Sequence, residues 1–233
     1  MVSIITCTMR NSYMNNVFQN YVNQKVENKE LIVVLNHDGM DLDKWRREAA
    51  KYKNVSVYQV PEKYNLGKCL NYGIERANHK IIAKFDDDNY YAPRYLEEAM
   101  DTLRKNRRIS IVGKHTAYVY FERKKALMLF RRGGENQYNR RIKGGSLVFR
   151  KKVWRKIKFN ERKTHTIDVD FLNRCRRRHY KIYSVSKYNY VCIRRANFKS
   201  HTQKISTKDY MKKCKLVSYT KNFVPIITKN KIG

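Results

Sequence analysis

Asp86-Asp87-Asp88 close a short run of β type, Ile81-Ile82-Ala83-Lys84-Phe85, and are followed by Asn89-Tyr90-Tyr91-Ala92-Pro93. Adjacent carboxylates repel one another and raise each other's pKa unless a cation neutralises them. Their oxygens are hard ligands of the kind Mg2+ and Mn2+ accept, with water and a ligand's phosphates filling the remaining positions. In α/β sheets, ligands sit just beyond the carboxyl ends of strands. Three acids at such an end are therefore candidates for holding a cation and a phosphate ester. The competing reading is a solvated turn, because Asp and Asn favour turns through local hydrogen bonds. The strand before the triplet and the helical segment started by Pro93 favour the ligand site.

Three further strand ends carry compatible groups. Thr6-Cys7-Thr8-Met9-Arg10 offers hydroxyls and a cation, and Asn36-His37-Asp38-Gly39 offers groups able to hydrogen-bond a base or a ribose. Asn65-Leu66-Gly67-Lys68 precedes a helical pattern, where Gly67 permits close backbone approach and Lys68 can meet phosphate. Each alone is ordinary turn chemistry. Their joint occurrence at successive strand ends points to a nucleotide-sugar site.

The elements that must position these groups alternate through the first half. Strands are expected at Val2–Cys7, Glu30–Leu35, Val55–Val60 and Lys80–Phe85, and helices at Asn15–Gln24, Asp41–Tyr52, Leu66–Asn78 and Pro93–Asn106. The near-continuous aliphatics of the second strand suit a sheet covered on both faces. This β-α order predicts a parallel, doubly wound sheet with the loops after Cys7, Leu35 and Phe85 along one edge. Beyond residue 107, short strands are expected at Ile109–Val112, Ala117–Phe121, Ala126–Phe130 and Ser146–Phe149, the last behind Gly144-Gly145. A helix at Asp168–Arg178, a strand pair at Lys181–Val185 and Asn189–Arg194, and a basic helix at Thr207–Lys221 complete the pattern. With only three Pro and nine Gly there is no flexible linker, so one compact unit is expected.

Charge divides the chain. The net charge is +32, yet residues 1–100 carry 14 basic and 13 acidic side chains while residues 101–233 carry 38 and 7. So basic a half predicts attraction to a polyanion, whether nucleic acid, anionic lipid or an acidic polymer; the alternative is a coding bias on a merely solvated surface. No run of 18 apolar residues occurs to encode a transmembrane helix, and Val2–Cys7 reads as a strand rather than a leader. Five scattered cysteines without CxxC spacing support neither zinc nor a disulfide framework, which makes a reduced, cytoplasmic setting the default.

Together these segments resemble the family 2 glycosyltransferases of the GT-A fold, from about Val2 to His201. Ser3–Thr8 resembles the opening strand, Leu31–Gly39 the second strand and loop, and Asn65–Gly73 the NxGxxxxxN-type segment. Phe85–Asn89 is similar to the DxD motif, with Asp86 and Asp88 as its pair, and Asp87–Pro93 is particularly similar to bacterial spore-coat polysaccharide and spore-maturation members. Two departures stand out. Asn36, or Asp38 shifted by an insertion, stands where the acidic residue after strand two is usual, and Ile167 replaces the usual Glu of an EDxD segment seen here as Thr166–Leu172.

The resemblance implies an α/β GT-A fold, a Rossmann-like mostly parallel sheet with helices on both faces and a smaller mixed acceptor-side sheet. Residues 1–106 would form the nucleotide-sugar half and 107–233 the acceptor half with a basic extension. It implies transfer of a sugar from a UDP- or dTDP-sugar to a hydroxyl acceptor, with inversion and with Mn2+ or Mg2+ as cofactor, in surface or spore-coat polysaccharide synthesis. By the same match Asp168 would be the general base, and Thr6, Thr8, Arg10, Asn36, Asp38, Gly67, Lys68, Asp86 and Asp87 would serve the donor. Asp88, Asp86 and His201 would serve the metal, and Gly144, Gly145 and Asp170 the acceptor side. A helix-capping role for Asp168 and a surface role for His201 are the plainer alternatives. The basic half would hold an anionic glycan or contact an anionic membrane. Two rival readings stay open at this point: a catalytically silent scaffold, and a nucleic-acid binder using Arg174–Arg178 and Lys181 with Tyr180 and Tyr183.

Overall fold

The computed structural model describes residues 1–196 and 205–228. Its first half contains β1 (Val2–Thr8), α1 (Met14–Val22), β2 (Lys29–Leu35), α2 (Leu42–Ala49), β3 (Val55–Gln59), α3 (Leu66–Glu75), β4 (Ile81–Lys84), β5 (Tyr90–Tyr91) and α4 (Tyr95–Lys105). Past residue 107 come β6 (Ile109–Gly113), β7 (Ala117–Phe121), β8 (Ala126–Phe130), β9 (Gln137–Tyr138), β10 (Val148–Arg150), α5 (Lys151–Lys156) and α6 (Ile167–Arg177). They are followed by β11 (Lys181–Ser184), β12 (Tyr190–Arg194), α7 (Thr207–Lys212), β13 (Cys214–Tyr219) and α8 (Val224–Ile227).

The main sheet has the order β3-β2-β1-β4-β10-β6-β11-β9, and a smaller sheet the order β13-β8-β7-β12-β5. In the main sheet β1 to β4 run parallel, β10 runs against both its neighbours, and β11 runs parallel to β6. The period-two alternation of strand side chains sorts the core. Val2, Ile4, Val33 and Leu35 pack with Phe18, Trp45 and Leu96 of α1, α2 and α4. Ile5, Ile32 and Val34 pack on the opposite face with Leu70, Trp154 and Phe171 of α3, α5 and α6. Both faces are thus covered, as the aliphatic runs require. Asp41 caps α2 by accepting from Lys44 N at 2.8 Å, and Asn65 caps α3 by accepting from Lys68 N at 2.9 Å.

Two expected elements differ. Lys181–Val185 and Asn189–Arg194 do not pair: β11 joins the main sheet and β12 the smaller one. Glu98 accepts from Ser186 N at 3.1 Å between them, so the chain crosses between sheets instead of folding back as a hairpin. The basic helix ends at Lys212 rather than Lys221. Cys214–Tyr219 instead adds an antiparallel edge strand to β8, where lysines suit an exposed edge.

Asn71, the second Asn of the Asn65–Gly73 segment, is built into the core. Its Oδ1 accepts from Trp154 Nε1 (2.8 Å) and Phe159 N (3.0 Å), and its Nδ2 donates to Phe159 O (2.9 Å) and Glu161 Oε1 (2.8 Å). Asn71→Ala strands several buried polar groups and should destabilise the fold by about 3 kcal/mol in urea denaturation; a loss within experimental error would show that water replaces the amide.

Candidate active site

The register that sets Ile5 opposite Lys84 brings the turn after β4 level with the end of β1. The turn is fixed by amides. Asn16 Nδ2 donates to Asp87 O (2.6 Å) and Asn89 O (3.1 Å), and Asn20 Nδ2 donates to Asn89 O (2.9 Å). Asn20 Oδ1 accepts from Tyr91 N (3.0 Å), starting β5. Asn89 itself donates to Asp86 Oδ2 (3.0 Å) and Tyr190 Oη (3.1 Å) and accepts from Ile193 N (3.0 Å). These bonds fix the turn that carries the three carboxylates.

Each acid meets at least one cation. Asp86 Oδ1 accepts from Lys84 Nζ at 2.6 Å. Asp87, 5% exposed, accepts from Thr8 Oγ1 at 2.5 Å and is clasped by both Nε and Nη2 of Arg10. Asp88 Oδ2 pairs with Arg10 at 3.2 Å and with Arg195. The repulsion inherent in three adjacent acids is therefore answered by the chain's own cations.

Lys84 reaches further. Its side chain is 4% exposed, and Nζ also lies 3.3 Å from Asp168 Oδ2 and 3.4 Å from Gly144 O. Burial works against its charge, but Asp168 and Asp86 outweigh burial and raise its pKa. Asp168 sits in the first turn of α6, with Oδ1 buried and without a hydrogen-bond partner among the described residues. Burial raises its pKa above the usual aspartate value and Asp86 adds to this, while Lys84 pulls the other way. Gly144-Gly145 form a 3-10 turn wedged between these acids. A Cβ on Gly144 would collide with the Asp168 carboxylate, and one on Gly145 with that of Asp86.

The structure thus brings together Thr8, Arg10, Asp86, Asp87, Asp88, Gly144, Gly145 and Asp168. Thr6 is buried within β1 one register step behind Thr8. Asn36 N donates to Thr8 O at 2.8 Å, but its side chain turns to Pro61 O at 2.9 Å. Asp38 accepts from Glu62 N at 3.1 Å and lines a cavity of about 450 Å³ with Arg46, Tyr58 and Tyr72. Gly67 is needed for chain packing: a Cβ there would strike the Asn160 backbone, and Lys68 lies over the Tyr64 ring at 3.8 Å. Asp170 is held by Lys163 (3.0 Å) and Arg174 (2.7 Å), which lower its pKa although burial alone would raise it. His201 lies outside the described residues.

The model of Glycosyl transferase family 2 matches residues 3–181. The chain belongs to this family. An uncharacterized glycosyltransferase of Haemophilus influenzae is 30% identical over 118 residues, covering 49% of this chain and 36% of that protein. Another, from Methanocaldococcus jannaschii, is 23% identical over 226 residues, covering 90% of this chain and 77% of its own length. The structure of S. aureus TarS in complex with UDP-GlcNAc superposes with a TM-score of 0.62 at 16% identity, covering 91% of this chain and 63% of that one. An S. aureus TarS structure spanning residues 1–349 gives a TM-score of 0.60 at 15% identity, over 82% of this chain and 60% of that one. The chain is thus shorter than most of these relatives. The fold is GT-A, and the chain spans 36% of the Haemophilus protein and less than two thirds of the TarS chains.

Among the described residues of this family 2 chain, no three His, Cys, Asp or Glu side chains are grouped to hold a metal. Both oxygens of Asp86 are engaged by Lys84 and Asn89. At Asp88 both contacts fall on Oδ2, so Oδ1 makes none with the described residues. That donor set fits a cation taking one or two protein carboxylates and completing its shell with phosphate and water. It does not form a cage by itself.

Lys84, Asn16, Asn20 and Tyr190 were not singled out by sequence. Their signals were a lysine inside an apolar strand run and an amide stripe, Asn16-Asn20-Gln24, at helical spacing. Gly145→Ala should destabilise the protein by about 2 kcal/mol, since Asn89 (2.6 Å) and Tyr190 (2.8 Å) also crowd the new methyl. Gly39→Ala, meeting only the exposed His37 ring at 3.2 Å, should stay within about 0.5 kcal/mol in the same denaturation assay. Equal effects would refute the packing explanation.

Proposed function

We propose that the enzyme transfers a sugar from a nucleoside-diphosphate sugar to an acceptor hydroxyl by a single inverting displacement, with Asp168 as general base. One observation carries this reading: Lys84 joins Asp86, at the strand end, to Asp168, at the start of α6, through one buried ammonium. The proposed donor-side and acceptor-side carboxylates thereby meet on one ammonium. An alcohol is a weak nucleophile, and a positioned carboxylate takes its proton as the new bond to the anomeric carbon forms. The pKa of Asp168, raised by burial, strengthens it as a proton acceptor.

Residues 1–106 serve the donor and residues 107–233 the acceptor. Thr8, Arg10 and Asp87 form the wall against which ribose and diphosphate rest, and Asn36 and Asp38 lie toward the base. Arg10 and Arg195 offer positive charge to the departing diphosphate. Mg2+ or Mn2+ on Asp88, with Asp86 beside it, would add Lewis-acid stabilisation of that charge when bound. A UDP-sugar is favoured by the family and by the UDP-GlcNAc complex of the TarS relative. Assembly of a surface polysaccharide, such as a spore coat, is the setting that the Asp87–Pro93 resemblance supports. No helix among the described residues is long and apolar enough to cross a membrane.

Asp168→Asn should keep UDP binding in calorimetry and lose about 10²- to 10⁴-fold in transfer. Undiminished turnover removes the base assignment. Asp168 must be ionised to accept a proton, so transfer falls as pH drops through its pKa. Lys84→Met takes away the cation that favours the ionised form, raises that pKa, and should move the acidic limb of kcat/KM to higher pH. A limb that stays in place while the variant remains folded would sever Lys84 from the base.

A further inference from the structure

The parallel strands β7 and β12 end side by side at Phe121 and Arg194. Beyond those ends opens a cavity of about 910 Å³, lined in part by Arg195, which also pairs with Asp88. Phe121 and Met211 give it an apolar wall. Arg123, Lys124, Arg194, Arg195, Lys208 and Lys212 supply six cations around it. Two acids lie close: Glu122, which accepts from Ala196 N at 3.0 Å, and Asp209, which is held by Ser206 at 2.6 Å and Lys212 at 3.6 Å. The six cations outnumber these two acids and Asp88, the partner of Arg195, so positive charge is in excess at the cavity.

Arg194 makes this more than a charged surface. It is 4% exposed, donates from Nη2 to Ile205 O at 2.9 Å, and lies 5.1 Å from the Tyr210 ring. Its Nε is buried with no hydrogen-bond partner among the described residues. A buried cationic donor left unsatisfied is costly, and an anion is what satisfies it. Arg123, Lys124 and Lys208 are exposed and can close on such a group, while the apolar wall suits the carbon portion of an ester.

We propose that this cavity is a binding site for a phosphate ester carried by the acceptor, with the phosphate on Arg194 and the rim cations. The word acceptor rests on the glycosyl-transfer reading; the anion site itself does not. Placement beside Arg195 would seat an anionic acceptor so that its hydroxyl-bearing end extends toward the strand-end acids.

The test titrates the full chain with a synthetic glycerol-phosphate trimer, with UDP binding measured in parallel. Wild type should bind the trimer, and Lys124→Glu with Lys208→Glu should weaken it about tenfold while leaving the UDP affinity within about twofold. Arg176→Glu with Arg177→Glu removes the same charge from exposed positions on α6 and should leave trimer binding within about twofold. Equal loss in both double variants would mean diffuse attraction and overturn the site. So would absence of trimer binding, or binding only to phosphatidylglycerol vesicles, which carry the same headgroup on a membrane surface. Trimer binding that survives where UDP fails to bind would sink the donor reading and keep the anion site.

Discussion

A lysine ammonium shut inside the protein between two carboxylates is the interaction on which the site depends. Lys84 is 3% exposed, and a buried charge is tolerable only when paired and hydrogen-bonded. Its partners come from opposite directions, Asp86 from the turn after β4 and Asp168 from the first turn of α6. Removing one partner of such a pair typically costs about 3–5 kcal/mol. The pairing therefore fixes how the two halves of the chain meet. Gly144 and Gly145 follow from it, because any side chain there would occupy the space the carboxylates need.

The same economy of polar groups shapes the surroundings. Three neighbouring acids would splay or protonate in a loose loop. Here Lys84 answers Asp86, Arg10 answers Asp87 and Asp88, and Arg195 answers Asp88 as well, while the amides of Asn16 and Asn20 satisfy the backbone between and that of Asn89 donates to Asp86. The turn's polar groups are thus satisfied by the chain itself, so its shape does not depend on a ligand. Tyr91 extends this frame: stacked on Phe85 at 3.7 Å, it accepts from Asp86 N and donates to Gly145 O.

Much of this was legible in the sequence. The aliphatic runs of β1, β2 and β4 and the amphipathic helices between them define the doubly wound half, and the acid triplet falls where such a sheet puts ligands. Asp168 was legible only through its family resemblance, since an aspartate opening a helix is equally a cap. Lys84 was hidden: inside a strand run it gives no sign of which face it takes, and the glycine turn it meets comes from β10, inserted antiparallel between β4 and β6. Gly67, read as a phosphate approach, and Asn71, given no role by the sequence, show a related limit. A glycine beside a helix start suggests phosphate, yet the backbone it approaches is that of Asn160, and Asn71 is spent on Trp154 and Phe159. Thr207–Lys221 failed because lysine-rich segments carry no clear period, and pairing with β8 decided the outcome.

The most direct measurement is a crystal structure with a UDP-sugar and Mn2+ bound. The account predicts the diphosphate against Arg10 and Asp88 and the sugar's anomeric carbon facing the Asp168 carboxylate, with Lys84 still between Asp86 and Asp168. A nucleotide seated away from the turn after β4, or an Asp168 carboxylate pointing away from the sugar, would contradict it.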